Sequence, residues 1–127
     1  MKAIVFGGCG TLGISLLTYL KEQQEIPEIL VTDVQQTKLK EVVAWLNDSR
    51  FSAKVLDVTD YNSLVTAMKG YDIVLNVSAV RNKLPATKAA LMSGANYIDA
   101  GAAPADEQLE LSNEFKKRGL LAIVHMY

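Results

Sequence analysis

The chain has 127 residues, 50% of them hydrophobic and 21% charged, which is enough for one globular domain with its own core and too little for two. Thirteen basic residues against fourteen acidic ones leave a net charge of -1, spread along the chain, and this excludes the basic stripe that a nucleic-acid backbone attracts. One cysteine, Cys9, and one histidine, His125, exclude an internal disulfide and a structural zinc site, and they point to a reducing, cytoplasmic setting.

The first expected element is an apolar strand at residues 3–6, which runs directly into Gly7, Gly8, Gly10 and Gly13. Lys2 followed by a mostly apolar run to Leu20 has the outline of a signal peptide, but the glycines interrupt it. No stretch reaches the roughly 18 unbroken apolar residues that a bilayer span needs, so no membrane partner is expected. A second strand at 29–32 precedes a helix in which Leu39, Val42, Val43 and Leu46 recur at helical spacing. A third strand is expected at 53–56, and Asp60 then caps a helix carrying Leu64, Val65 and Met68. The fourth strand, 73–77, leads to a helix opened by Pro85 and closed at Gly94. A strand at 97–98, a helix closed at Gly119 and a last strand at 121–124 complete the order. About six strands thus alternate with five helices. Near-continuous apolar strands joined by helices imply a sheet covered on both faces, so the expected fold is α/β, a doubly wound parallel sheet of the Rossmann kind. No repeat, low-complexity segment or linker divides residues 1–127.

Gly8, Gly10 and Gly13 fit G-x-G-x-x-G at the junction of the first strand and first helix. In such a turn the first glycine allows the tight bend, the second lets backbone approach a pyrophosphate, and the third lets helix pack on strand. Thr11 and Leu12, between the last two glycines, open the helix whose N–H groups and dipole face the phosphates without help from a lysine. Twenty residues past Gly13, Asp33 closes the second strand, where a carboxylate accepts hydrogen bonds from an adenosine ribose. The plainer reading, in which the glycines form only a tight turn and Asp33 only ends a strand, leaves the spacing between motif and acid unexplained. FAD and S-adenosyl compounds share this combination; the expectation is NAD. A carboxylate repels a 2′-phosphate, Val34, Gln35, Gln36 and Thr37 offer no arginine, and Lys38 is the one nearby cation, so NAD is expected over NADP.

Together with the glycine turn and Asp33, "LDVTDYNSLVTAMKGYDIVLNVSA" and "NKLPATKAALMSGANYIDAGA" resemble the nucleotide-binding domain of saccharopine dehydrogenase-like oxidoreductases, essentially end to end. The resemblance implies an adenine pocket at Asp57 and Val58, and places Asn76, Val77 and Ser78 beside the nicotinamide ribose. Their positions at the carboxyl ends of the third and fourth strands agree with where open parallel sheets bind ligands. Read without the resemblance, Asp57 is equally a turn carboxylate, and Asn76 and Ser78 equally satisfy loop backbone. The family's enzymes act on amino-acid-type substrates and carry a second, larger domain that supplies the substrate site and dimer contacts. A chain of 127 residues therefore reads as one domain of a longer two-domain protein, binding cofactor without turnover.

The other chemistry-bearing residues read more plainly. Cys9 at a helix N-terminus invites a lowered thiol pKa, but a small side chain filling the turn is the commoner reason for it. Arg81 and Lys83, after the fourth strand, either meet a substrate carboxylate or stand as solvated loop charges, the second being expected. His125 reads as structure rather than acid–base chemistry. A short-chain dehydrogenase needs a lysine four residues after a tyrosine; Tyr19, Tyr61, Tyr71 and Tyr97 are followed there by Gln23, Val65, Leu75 and Gly101, and only Tyr127 escapes the test. A nucleotide-sensing module without catalysis is the remaining alternative. No catalytic residue and no metal site is named.

Overall fold

Apolar residues on alternate sides of each strand decide how the sheet is covered. The computed structural model describes residues 1–101 and 105–124. Its strands are β1 (Lys2–Phe6), β2 (Glu28–Asp33), β3 (Phe51–Val55), β4 (Ile73–Asn76), β5 (Asn96–Asp99) and β6 (Ala122–Ile123). They pair in the order β3-β2-β1-β4-β5-β6, every pair parallel. The helices are α1 (Thr11–Glu22), α2 (Gln36–Leu46), α3 (Tyr61–Met68), α4 (Leu84–Ser93), α5 (Ala105–Leu109) and α6 (Ser112–Lys117). The last crossover, expected as one helix, is divided at residues 110–111 into the two short pieces α5 and α6.

Because successive side chains of a strand point to opposite faces, β1 sends Ala3 and Val5 one way and Ile4 and Phe6 the other, all fully buried. Ala3 and Val5 join Leu17 and Leu20 of α1 and Leu39, Val42 and Leu46 of α2 in one core. Ile4 and Phe6 join Leu64 and Met68 of α3, Ala89 and Ala90 of α4 and Phe115 of α6 in the other. Full burial of such aliphatic or aromatic side chains is worth about 1.5–3 kcal/mol each. The doubly wound sheet is therefore driven from both faces at once.

Helix ends follow their residue chemistry. Asp60 caps α3 by accepting from Ser63 N at 3.3 Å and Ser63 Oγ at 2.7 Å. Pro85 lies in the first turn of α4, and Gly94 closes that helix in the left-handed region at φ 79. Strand β3 departs from expectation. It begins at Phe51, two residues early, and apart from Phe51 its residues are exposed, because it is a sheet edge and only Phe51, paired with Ile29, enters the core.

One surface device fastens α1 to β3. The Arg50 guanidinium donates to the carbonyls of Lys21, Gln23 and Ile26 at 3.0, 2.6 and 3.0 Å, satisfying the open end of α1 and its exit. Asp48 orients it through Nε and Nη2 at 3.2 and 2.8 Å. Those hydrogen bonds hold the Asp48 carboxyl below its ordinary range. A lowered folded pKa means that this stabilisation is present above the unfolded carboxylate value, about 3.9, and is lost as pH falls through the folded one. Arg50→Met is expected to lower the thermal midpoint at neutral pH and to flatten its fall below pH about 4. Melting curves across that range check both; an unchanged acid limb would overturn the assignment.

Candidate dinucleotide site

The carboxyl ends of the parallel strands share one edge of the sheet, and the order reverses at β1, with β2 on one side and β4 on the other. Such a switch point leaves a crevice between the loops that leave in opposite directions. The glycine turn fills its middle. Gly7 and Gly8 both donate their N–H to Thr32 O, at 3.1 and 3.0 Å, and Gly10 N closes back on Gly7 O at 3.2 Å. The demanding backbone position is Gly7 rather than Gly8: it has φ 80, and a Cβ there would come within 2.5 Å of Ser78 Cα. Gly8 is instead tight against the Val31 side chain. At Gly13 a Cβ would overlap Gly7 O and lie 2.8 Å from Gly8 Cα, so this glycine lets α1 rest on the turn. At Gly10 the same atom would meet nothing closer than 3.6 Å. That position faces open space, and no side chain caps the first turn of α1. The first-turn N–H groups of a helix have no intrahelical acceptor, and Thr11 and Leu12, both exposed, stand at the crevice.

Asp33 is half-buried beside this turn. Its Oδ2 accepts from Cys9 N at 3.0 Å and its Oδ1 from Gln35 N at 3.1 Å. Cys9 is fully buried, and burial, reinforced by the Asp33 charge, pushes its thiol up to about 11. A thiol held protonated is a poor nucleophile, which agrees with Cys9 serving to fill the turn.

A cleft of about 620 Å³ opens in front of the turn, within the size range of cofactor pockets. Gly7, Gly10, Thr11 and Leu12 form its floor; Asp33, Val34, Gln35, Leu56 and Val58 bound one side, and residues 77–80 with Ala100 the other. Of the positions expected from sequence, Gly10, Thr11, Leu12, Asp33, Val58, Val77 and Ser78 line it. Gly8 and Gly13 are buried behind it. Asp57 and Asn76 do not reach it. Asp57 turns to its own loop, where Thr59 N and Oγ1 donate to Oδ1 at 2.9 and 2.6 Å and hold the carboxyl below its usual range. Asn76 is buried: its Nδ2 donates to Tyr97 Oη at 3.0 Å, and its Oδ1 accepts from Ser78 N and Oγ at 3.2 and 2.7 Å. It supports the wall from beneath.

Sequence reasoning passed over Gly7, Leu56, Val80 and Ala100. The doubled glycine was the available signal for the first; the others carry none beyond following a strand. It also mistook Lys83, expected in solvent, which is 4% exposed. Arg81 is exposed, whereas His125 and Tyr127 lie outside the described residues. Among the described residues no three metal-ligating side chains come together, and no helix is long and apolar enough to cross a membrane.

An open glycine turn at the switch point of a six-stranded parallel sheet defines a nucleotide-binding domain of the Rossmann type. The sequence matches, over residues 4–123, the family described as the saccharopine dehydrogenase NADP binding domain, and the chain belongs to that family. That description supports a nicotinamide dinucleotide and favours NADP over NAD, whereas Asp33 points to NAD. Apo saccharopine dehydrogenase (L-Glu forming) from Saccharomyces cerevisiae is similar in fold over 99% of this chain, with a TM-score of 0.80 and 17% identity. A Citrobacter sp. triphenylmethane reductase complexed with NADP(H) is similar over 97% of the chain, with a TM-score of 0.69 and 18% identity. The chain spans 27% of the first and 48% of the second. A UDP-glucose 4-epimerase from Rickettsia bellii is 31% identical over 81 residues, which are 61% of this chain and 24% of that protein.

Proposed function

We propose that this chain is the cofactor-binding part of an NADP-dependent oxidoreductase acting on an amino-acid-type substrate. The pyrophosphate rests on Gly10 and the first turn of α1, the adenosine half extends over β2 and β3 beside Asp33 and Val58, and the nicotinamide half lies over β4 and β5 beside Val77 and Ser78. The observation that carries this reading is the open Cβ position of Gly10, set in a cleft that extends to both sides of β1. When bound, the nicotinamide supplies a carbon that takes or gives hydride. The chain's own residues bind and orient it: the turn fixes the phosphates, and the apolar wall of Val77, Ala79 and Val80 keeps water from one face of the ring.

Among the described residues lining the cleft Asp33 is the one ionisable side chain, and they hold no acid–base pair for proton transfer. We infer that another domain of a longer protein supplies it, a reading supported by relatives of which this chain spans a quarter to a half. The 127 residues are expected to bind NADP without oxidising or reducing lysine, glutamate or saccharopine. Steady turnover in the reduced-nicotinamide absorbance band, abolished by Asn76→Ala, would mean that the catalytic site is complete within this chain.

NADP is supported by the family description, and Lys38 adds a cation whose charge reaches the Cys9 thiol and hence the Asp33 corner. NAD is favoured by one observation, the carboxylate of Asp33 at the ribose position. Both Asp33 oxygens already hold backbone N–H groups, which gives the residue a role in bracing the turn whichever cofactor binds. Asp33→Ser is therefore expected to weaken NADP and NAD alike, by roughly tenfold for a lost charged hydrogen bond. Calorimetric titration of both cofactors decides: weaker NAD with stronger NADP would make Asp33 a ribose ligand and NAD the natural cofactor.

A further inference from the structure

We propose that Lys83 is the positioning residue for the nicotinamide half of the cofactor, acting through the loop that forms that side of the cleft; this rests on the dinucleotide reading above. Lys83 immediately precedes α4, and its backbone carbonyl accepts from Thr87 N and Oγ1 at 3.0 and 2.8 Å, which anchors the residue to the helix. From there its side chain turns back under the loop. Nζ donates to Ser78 O at 2.7 Å and to Val80 O at 2.9 Å.

The loop needs this clamp because it separates two hollows. Ser78, Ala79, Val80 and Ala100 line the large cleft on one side and a second cavity of about 250 Å³ on the other. A strip of backbone with space on both sides has little packing to fix it. Asn76 holds the N–H and hydroxyl of Ser78, and Lys83 takes the carbonyls on either side of Ala79. Gly101 covers the lysine stem so closely that a Cβ there would stand 3.4 Å from Nζ and nearer still to Cε. Burying an ammonium is unfavourable: desolvation draws the Lys83 pKa down, and the Asp99 charge only partly restores it. Two of its three protons go to loop carbonyls, an arrangement suited to fixing backbone rather than to meeting a substrate carboxylate.

The test separates the two halves of the ligand. Wild type and Lys83→Met are titrated with NADP and with adenosine 2′,5′-bisphosphate, which ends before the nicotinamide. The substitution is expected to weaken NADP by about tenfold, the worth of one or two hydrogen bonds, and to leave the bisphosphate unchanged. In Lys83→Ala, added propylammonium should restore NADP affinity by refilling the vacated space, a response that loss of folded protein does not give. If Lys83→Met does not fold, Lys83→Gln, which keeps one donor, takes its place in the comparison. Equal losses for both ligands, or none for NADP, would overturn the proposal. Wild type that binds neither ligand, nor NAD, would instead overturn the dinucleotide reading.

Discussion

Gly10→Val is expected to fold like the wild type and to lose at least a hundredfold in NADP affinity, roughly 3 kcal/mol. Both halves of that expectation come from the same atom. A Cβ at Gly10 meets nothing of the protein within 3.5 Å, the nearest atom being Gly7 O at 3.6 Å, and the backbone there, φ -77 and ψ 170, suits a β-branched residue. The fold therefore has no objection to the substitution. In the proposed binding mode the space it fills is the one that phosphate oxygens take in front of the first turn of α1, so the methyl groups displace ligand and not protein. Melting curves and calorimetric titration on the same preparation check the two halves. Undiminished affinity in the folded variant would remove the pyrophosphate from this turn.

Gly13→Val should do the reverse. Three residues further along, the added carbon would overlap Gly7 O and press on Gly8 Cα at 2.8 Å, and backbone cannot swing aside as a side chain can. Helix α1 must lift from the turn, and with it Leu17 and Leu20 leave their core. Overpacking of this kind costs roughly 3 kcal/mol or more, which for a chain of this size lowers the thermal midpoint by roughly 10 °C. Any loss of NADP binding should then follow the loss of folded protein. A variant with wild-type melting would show that the helix does not rest on the turn as described.

The contrast between these two glycines also marks what was legible beforehand. Motif spacing identified both, and strand and helix order followed from apolar runs, because those signals are local. Which glycine takes the left-handed bend was not legible: Gly7 owes its conformation and its crowding to Ser78, seventy-one positions away in sequence. Asp57 and Asn76 sit at the right ends of the right strands, and their turns to Thr59 and Ser78, each two residues on, are the local readings the sequence left open; only the bond from Asn76 to Tyr97, twenty-one positions away, is hidden from the chain order. Lys83 was read as solvated because lysines in loops usually are, and only the folding of residues 78–80 over it, with Gly101 above, takes it out of water. The two-residue shift of β3 has the opposite cause. As an edge strand it buries one residue, so apolar pattern had little to register against.

Cys9 sits under the same turn with no exposed surface and a thiol that stays protonated at neutral pH. Alkylating reagents reach such a sulfur only while the surrounding backbone is open, so their rate of reaction, set against that of the unfolded chain, reports openings of the glycine turn. Being the chain's single cysteine, it gives that signal without background. If the proposed dinucleotide rests on this turn, adding it should slow the alkylation of Cys9.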